Sequence, residues 1–360
     1  MKWRLIALAG AGLLASVAAG TFLFQKQIGE AIFRQAVQDN VGRDRAAELP
    51  DGLHVFVCGS GSPMPEPLRA GPCLGLVAGD QVIVIDAGSG GPRRLARMGF
   101  PVGRIDKVYL THLHSDHIDS LGELMLQAWV GGSRGQPLPI AGPQGVESVV
   151  AGFNAAYRID STYRTAHHGD KIANPAGFGG AAETIPAPVG PGRTALLHDQ
   201  DGVRITVIGV DHAPVEPAFG YRIDYKGRSV VISGDTTYSD ELVSAAKDVD
   251  VLLHEALQPV MVAQMRDAAA AKGQANIAKI MGDILDYHAS PEDAARAAAA
   301  ANAKALVLYH IVPPLPSSLL DVAFLGDAPV HYRGPIRVAE DGLLISLPAG
   351  GTAINQSVIR

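Results

Sequence analysis

The sequence predicts an α/β protein, a four-layer α/β/β/α sandwich with an N-terminal hydrophobic helix. Three observations predict it. From about residue 53, short β-branched runs alternate with alanine-rich helical stretches. The two halves of this region repeat one order of elements. Finally, Leu5–Phe24 is an uncharged run of 20 residues. The chain has 360 residues, 47% hydrophobic and 18% charged. That supplies ample material for a core and excludes a disordered chain.

In chain order, Met1-Lys2-Trp3-Arg4 is a basic start to the uncharged run. A helix of that length spans about 30 Å, the thickness of a bilayer core. Lys2 and Arg4 precede the run and only Lys26 follows closely, so positive-inside bias puts the rest outside the cytoplasm. The division is then residues 1–24, a signal anchor or signal peptide; 25–50, a helical neck; and 51–360, the globular domain. In the neck, Ile28, Ile32, Ala36 and Val37 fall at helical spacing and Pro50-Asp51-Gly52 ends it.

In the body, strands are expected at 53–57, 74–78, 82–86, 107–110, 203–209, 220–225, 229–233, 249–254, 305–309 and 343–347. Helices are expected near 91–98, 118–129, 145–158, 239–247, 258–286 and 291–303. Ser290-Pro291-Glu292-Asp293 reads as an N-cap with Pro at the first helical position. Pro and Gly thicken in 172–193, which reads as loop. The first half runs strand, turn Gly79-Asp80, strand ending in Asp86, helix, strand ending in His112. The second runs strand, turn Lys226-Gly227, strand ending near Asp235, helix, strand ending in His254. Packed face to face, two such halves bring strand ends to one edge, where ligands bind.

Composition excludes several classes. Two cysteines rule out a disulfide scaffold or a cysteine-rich zinc module. A net charge of −6 opposes a general nucleic-acid binder. Residues 1–49 carry six Lys/Arg against four Asp/Glu, so the body is more acidic than the total. Gly59-Ser60-Gly61-Ser62-Pro63 lacks the third glycine of a dinucleotide loop, no Gly-x-Ser-x-Gly elbow occurs near Ser60, Ser62 or Ser89, and His254-Glu255-Ala256-Leu257 is followed by Gln258, so it is not His-Glu-x-x-His.

The densest chemistry is Thr111-His112-Leu113-His114-Ser115-Asp116-His117, after a predicted strand and opening a predicted helix. Four ligand-type side chains in six residues suit two adjacent metals. Imidazole and carboxylate match Zn²⁺ and tolerate Fe or Mn. The run resembles the His-x-His-x-Asp-His signature of the metallo-β-lactamase superfamily, and the later residues follow the order of its dinuclear hydrolases. The resemblance implies the metallo-β-lactamase sandwich and two Zn²⁺. His112, His114 and His212 would hold the first ion, and Asp116, His117 and His310 the second. Asp235 would bridge both, and Asp86 would brace the loop.

Within the superfamily the chain is similar to the ribonuclease Z branch over 53–348. Val57-Cys58-Gly59-Ser60-Gly61-Ser62-Pro63 resembles its opening. Leu253-His254-Glu255-Ala256 with His288-Ala289-Ser290 resembles its Glu–His dyad, in which Glu255 orients His288 as proton donor. The implied catalytic set is Asp116, Glu255 and His288. The branch's Lys/Arg-rich tRNA-binding arm is not found; basic residues between 118 and 211 are scattered. A nearer resemblance is to exported zinc-dependent arylsulfatases, through Pro67–Pro72, Phe153–Tyr157 and Tyr163–Gly169. His167, His168 and Arg69 are then candidates to contact an anionic substrate. Met261, Met265, Ile277, Ile280 and Met281 read either as an apolar lid or as core-facing positions. Spacing does not decide whether Cys58 and Cys73 pair.

The resulting expectation is an extracytoplasmic, periplasmic-side dinuclear zinc hydrolase that cleaves aryl sulfate esters by attack of a metal-bridging hydroxide. Its expected partners are a small anionic ester and the membrane, through the N-terminal helix, with no tRNA and with room for a homodimer. The alternatives are a ribonuclease Z-like phosphodiesterase acting on small or single-stranded substrates and a non-catalytic metal-binding scaffold.

Overall fold

The computed structural model describes residues 21–190 and 192–359, so most of the expected leader lies outside the described residues. The chain divides into two units at Asp44/Arg45. In the first, helix α1 (Gln25–Asn40) is exposed throughout. Among the described residues no helix is long and apolar enough to cross a membrane. The expected hydrophobic helix falls mainly on residues 1–20, outside the described residues.

The second unit begins with β1 (Gly52–Gly59), β2 (Cys73–Ala78), β3 (Gln81–Ile85), α2 (Gly91–Arg97) and β4 (Lys107–Tyr109). Next come α3 (Ser115–Ile118), α4 (Leu121–Gly132), β5 (Leu138–Gly142), α5 (Val146–His168) and β6 (Gly180–Thr184). Then follow β7 (Thr194–Gln200), β8 (Val203–Val210), β9 (Ala218–Tyr225), β10 (Arg228–Ile232), α6 (Asp240–Ala245) and β11 (Val251–Leu257). The helices α7 (Pro259–Ala271), α8 (Ala275–Asp283) and α9 (Pro291–Ala300) precede β12 (Ala305–Val312), α10 (Asp321–Leu325) and α11 (Ala328–His331). The chain closes with β13 (Ile336–Val338), β14 (Leu343–Pro348) and β15 (Asn355–Val358).

The strands form two sheets, ordered β15-β14-β1-β2-β3-β4-β5-β6 and β13-β12-β11-β10-β9-β8-β7. Their facing sides bury one core, with Val55, Leu76 and Ile83 of the first sheet against Tyr221, Ile223 and Leu253 of the second. The outer side of the first sheet is covered by Leu95 of α2 and by Leu121 and Leu124 of α4. The second is covered by Leu242 of α6 and by Ala294 and Ala298 of α9. The central strands β1, β2, β10, β11 and β12 are buried on both sides, which explains their near-continuous apolar runs, whereas the edge strands β6, β7 and β15 are largely exposed. The internal parallel is structural: β2–β3 and β9–β10 are antiparallel hairpins, and each then pairs in parallel with the next strand, β4 or β11.

Three expectations change in detail. The stretch 258–286 is two helices, α7 and α8, broken at Lys272–Gln274. The 172–193 stretch contains edge strand β6, parallel to β5, which its Gly-Ala-Ala-Glu-Thr sequence conceals because no β-branched residue precedes Thr184. Helix α5 runs ten residues beyond the expected end at 158. Cys58 and Cys73 form a disulfide joining the end of β1 to the start of β2.

Candidate active site

β3 and β4 run parallel, as do β10, β11 and β12, so within each sheet their carboxyl ends open on one edge. Sites gather at such ends. The link from β4 to α3 carries His112–His117, and its shape is set by Asp86, the residue after β3, at φ 59°. Asp86 Oδ1 accepts the Thr111 N–H at 2.8 Å. Its Oδ2 accepts the Thr111 hydroxyl and His117 Nδ1–H, each at 2.8 Å. This brace turns Nε2 of His117 toward the cluster. A Cβ on Gly88 would lie 2.2 Å from Asp116 O, so only glycine admits the ligand loop this close.

The other candidates arrive singly. His212 follows β8 and donates Nδ1–H to Tyr287 O at 2.9 Å. Asp235 follows β10 through Gly234, at φ 61°, where a Cβ would lie 2.3 Å from Phe219 O. His310 is the extra residue of a bulge in β12: Glu255 pairs with Tyr309 and Ala256 with Ile311. The bulge, with His310 at φ 47°, re-aims the imidazole out of the ladder.

These seven residues make two ligand groups. His112, His114, His212 and Asp235 offer atoms all within 4.8 Å of one another, as do Asp116, His117 and His310. His112 Nε2 and His212 Nε2 lie 3.0 and 3.5 Å from His114 Nδ1. Asp235 Oδ2 lies 3.3 Å from His310, 3.4 Å from His117, 3.8 Å from His112 and 3.9 Å from His212. It stands between the groups. Tetrahedral bonds of about 2.1 Å would set such atoms about 3.4 Å apart.

The residues fit a pair of divalent cations on two further grounds. Asp86, Asp116, Asp235 and Glu255 are all buried. Among the described residues, no lysine or arginine forms an ion pair with any of them. Buried carboxylates need positive charge beside them. In addition, Asp235 Oδ1 and His117 Nε2 are buried without a hydrogen-bond partner. Burial opposes a proton on His117, but the charges of Asp235, Asp86 and Asp116 hold its pKa well above the usual imidazole value. Burial and neighbouring His117 push His112 well below it.

Beside the cluster, His288 Nδ1 lies 2.9 Å from Glu255 Oε1, which also accepts the N–H groups of Ala289 at 3.1 Å and Thr236 at 3.2 Å. Burial disfavours the charged imidazole, but Glu255, then Asp235 and Asp116, more than offset it, and His288 is pushed up to about 9. It is therefore protonated at neutral pH, the state of a proton donor.

A cavity of about 250 Å³ opens on this cluster, with His114, Asp116, Asp235, His288 and His310 on its polar wall. Met64, Ile280, Met281, Ile284 and Tyr287 form an apolar wall. Of the five candidate lid residues, Ile280 and Met281 line the cavity; Met261 packs instead on the core beneath α9. Met265 and Ile277 are exposed. Arg69 braces a loop through Leu315 O and Ala339 O, and neither it nor His167 and His168 is among the lining residues.

Residues 81–311 match the β-lactamase superfamily domain. The ribonuclease Z of Mycobacterium avium is 39% identical over 73% of this chain and 87% of its own. That of Mycobacterium bovis is 37% identical over 80% and 96%. The chain belongs to the metallo-β-lactamase superfamily, in its ribonuclease Z-like branch. Human tRNase Z, short form, shares the fold at TM-score 0.57 and 24% identity, over 82% of this chain and 99% of that one. So does a metallo-β-lactamase fold protein from Bacillus subtilis, at TM-score 0.57 and 19% identity, over 82% and 100%. The chain is a metal-dependent hydrolase acting on ester bonds.

These findings correct three expectations. The aryl sulfate reading is set aside, because the relatives are ribonucleases Z. The matches that prompted it lie on α5 and on the braced 67–72 loop, so they report scaffold, not the cavity. The expectation of no tRNA is withdrawn with it, because it belonged to that reading and the relatives at 37–39% identity are ribonucleases Z. It rests on the absence of a Lys/Arg-rich arm, on the acidic body and on the extracytoplasmic placement; most of the arginines of 118–211 serve the fold, Arg134 donating to Ile105 O and Arg164, Arg193 and Arg204 pairing with Asp160, Asp211 and Asp199. The membrane partner and extracytoplasmic placement are withdrawn as well. They rested on the 5–24 run, and neither the ribonuclease Z relatives nor any described helix supports them.

Sequence reasoning missed Tyr287, whose carbonyl fixes the His212 tautomer, and Asp341, which ties the 60–70 loop. Adjacency to His288 was the only signal for Tyr287. Asp341 gave none, being 281 residues from Ser60.

Proposed function

We propose that this protein is a ribonuclease Z-like phosphodiesterase that cleaves RNA, with tRNA as its substrate, and that its two ions are Zn²⁺. One observation carries the reading: the two His/Asp groups and the Glu255–His288 dyad stand together, with His114, Asp116, Asp235, His288 and His310 lining one cavity, in a chain 39% identical to a ribonuclease Z. When bound, the metal pair supplies activation of water at neutral pH and neutralises charge on phosphate oxygens. Asp235 would serve both ions. Asp116 would hold the second beside the cavity. His288, fixed through Nδ1 by Glu255, would give the proton at Nε2 to the departing oxygen, as general acids do. The apolar wall would exclude water from the leaving group. On this reading residues 51–360 make up the hydrolase domain.

The test is to assay full-length, zinc-loaded protein on a tRNA transcript, bis(4-nitrophenyl) phosphate and 4-nitrophenyl sulfate. Cleavage of the transcript and the phosphodiester with the sulfate untouched is expected. No hydrolysis of either phosphodiester by protein carrying two metals would overturn the reading.

A further inference from the structure

We propose that Ser62 is a substrate-binding residue, its hydroxyl donating a hydrogen bond to a non-bridging oxygen of the phosphate in the cavity. The inference rests on the phosphodiesterase reading above. Ser62 lines the cavity with His114, Asp116, Asp235, His288 and His310. It is only 8% exposed, and its Oγ is buried without a hydrogen-bond partner among the described residues. A buried hydroxyl left unpaired carries its full desolvation penalty, so native structures rarely keep one without a use.

The loop holding Ser62 leaves it little choice of partner. Ser60 N–H and its hydroxyl both donate to Asp341 Oδ1 at 2.9 Å, and Ala70 N–H donates to Asp341 Oδ2 at 2.7 Å. Gly61 N–H donates to Ala70 O, and Ile311 N–H, next to His310, donates to Ser60 O. These bonds tie the loop to the strand that carries a candidate ligand. Ser60 and Ser62 thus differ in kind: Ser60 spends its hydroxyl on the fold, and Ser62 lines the cavity with its hydroxyl unpartnered. The groups on the polar wall are carboxylates and imidazoles, suited to cations and to one proton. Ser62 adds a neutral donor, the type an anionic ester oxygen takes without needing another charge.

The experiment compares Ser62→Ala, Ser62→Thr and Ser60→Ala in the full zinc-loaded chain. Three quantities are measured: kcat and KM on bis(4-nitrophenyl) phosphate, thermal midpoint, and the midpoint rise given by inorganic phosphate. Ser62→Ala is expected to leave the midpoint unchanged or raised. It should lower kcat/KM roughly 10–100-fold and weaken the phosphate effect, and Ser62→Thr should recover both. Ser60→Ala is expected to lower the midpoint. If wild type turns over and Ser62→Ala matches it in rate and phosphate response, Ser62 has no such role and the phosphodiesterase reading stands. A midpoint drop in Ser62→Ala like that of Ser60→Ala would make the residue structural and overturn the proposal. If wild type hydrolyses no phosphodiester but its phosphate response needs the Ser62 hydroxyl, the anion contact holds and the reaction reading falls.

Discussion

The two halves of the sandwich supply the site in opposite ways. The first half delivers four candidates within six residues, on one loop braced by one carboxylate, Asp86. The second delivers His212, Asp235, Glu255, His288 and His310 from separate strand and helix ends, each with its own local device. The first half is locally determined and hangs on a single brace. The second is assembled by tertiary packing and spreads its dependence widely. The same hairpin-then-crossover order underlies both, so connectivity alone does not decide how a half carries chemistry.

Four substitutions probe that difference, from the largest expected effect downward. His114→Ala removes a member of the first group and is expected to reduce turnover at least about 1,000-fold, by analogy with loss of a central catalytic component. The circular-dichroism spectrum should be unchanged; near-normal turnover would dissolve the first group as described. Glu255→Gln is expected to lower kcat about 100-fold or more, the scale of general acid catalysis. Its sign with pH is specific. The donor works while His288 keeps its proton, so wild-type activity falls as pH rises through about 9. Without the carboxylate the alkaline limb moves to lower pH, and an unmoved limb would remove the dyad from the reaction.

Asp86→Ala tests the single brace. Metal affinity, followed by competition with a chelator, is expected to fall about 10–100-fold. Equal loss from a cut at Tyr287, the second half's counterpart, is not expected, because that contact uses a backbone carbonyl. Tyr221→Phe is the mildest. The Tyr221 hydroxyl on β9 donates to Leu110 O at 2.7 Å and links the halves. Urea denaturation should show a loss of about 1 kcal/mol.

The same contrast explains what the sequence revealed. His112–His117 was legible because its ligands are contiguous and their spacing is itself the signal. Asp235 and His310 were legible only through order and resemblance, since a lone Asp or His at a strand end has no local signature. The bulge that re-aims His310 is invisible in Leu-Tyr-His-Ile, because it depends on register with β11. Ser62 and Asp341 were not legible at all: one is defined by the partner it lacks, the other by contacts across the whole chain. β5, with an internal proline, and edge strand β6 lack the β-branched runs on which strand reading relies. The substrate was misread because α5 carried sequence likeness without lining the cavity.

Leu257 N–H donates to Ala289 O at 2.8 Å, so the chain leaves the second sheet and returns to nearly the same point around the α7–α8 hairpin. Glu255 and His288 stand just outside this closure, while Ile280, Met281 and Ile284 hang inside it over the cavity. Lengthening or shortening such an excursion adds little closure entropy. The hairpin is therefore an interchangeable hood: evolution or design can recut it for a different guest while the Glu255–His288 pair beneath keeps its posture.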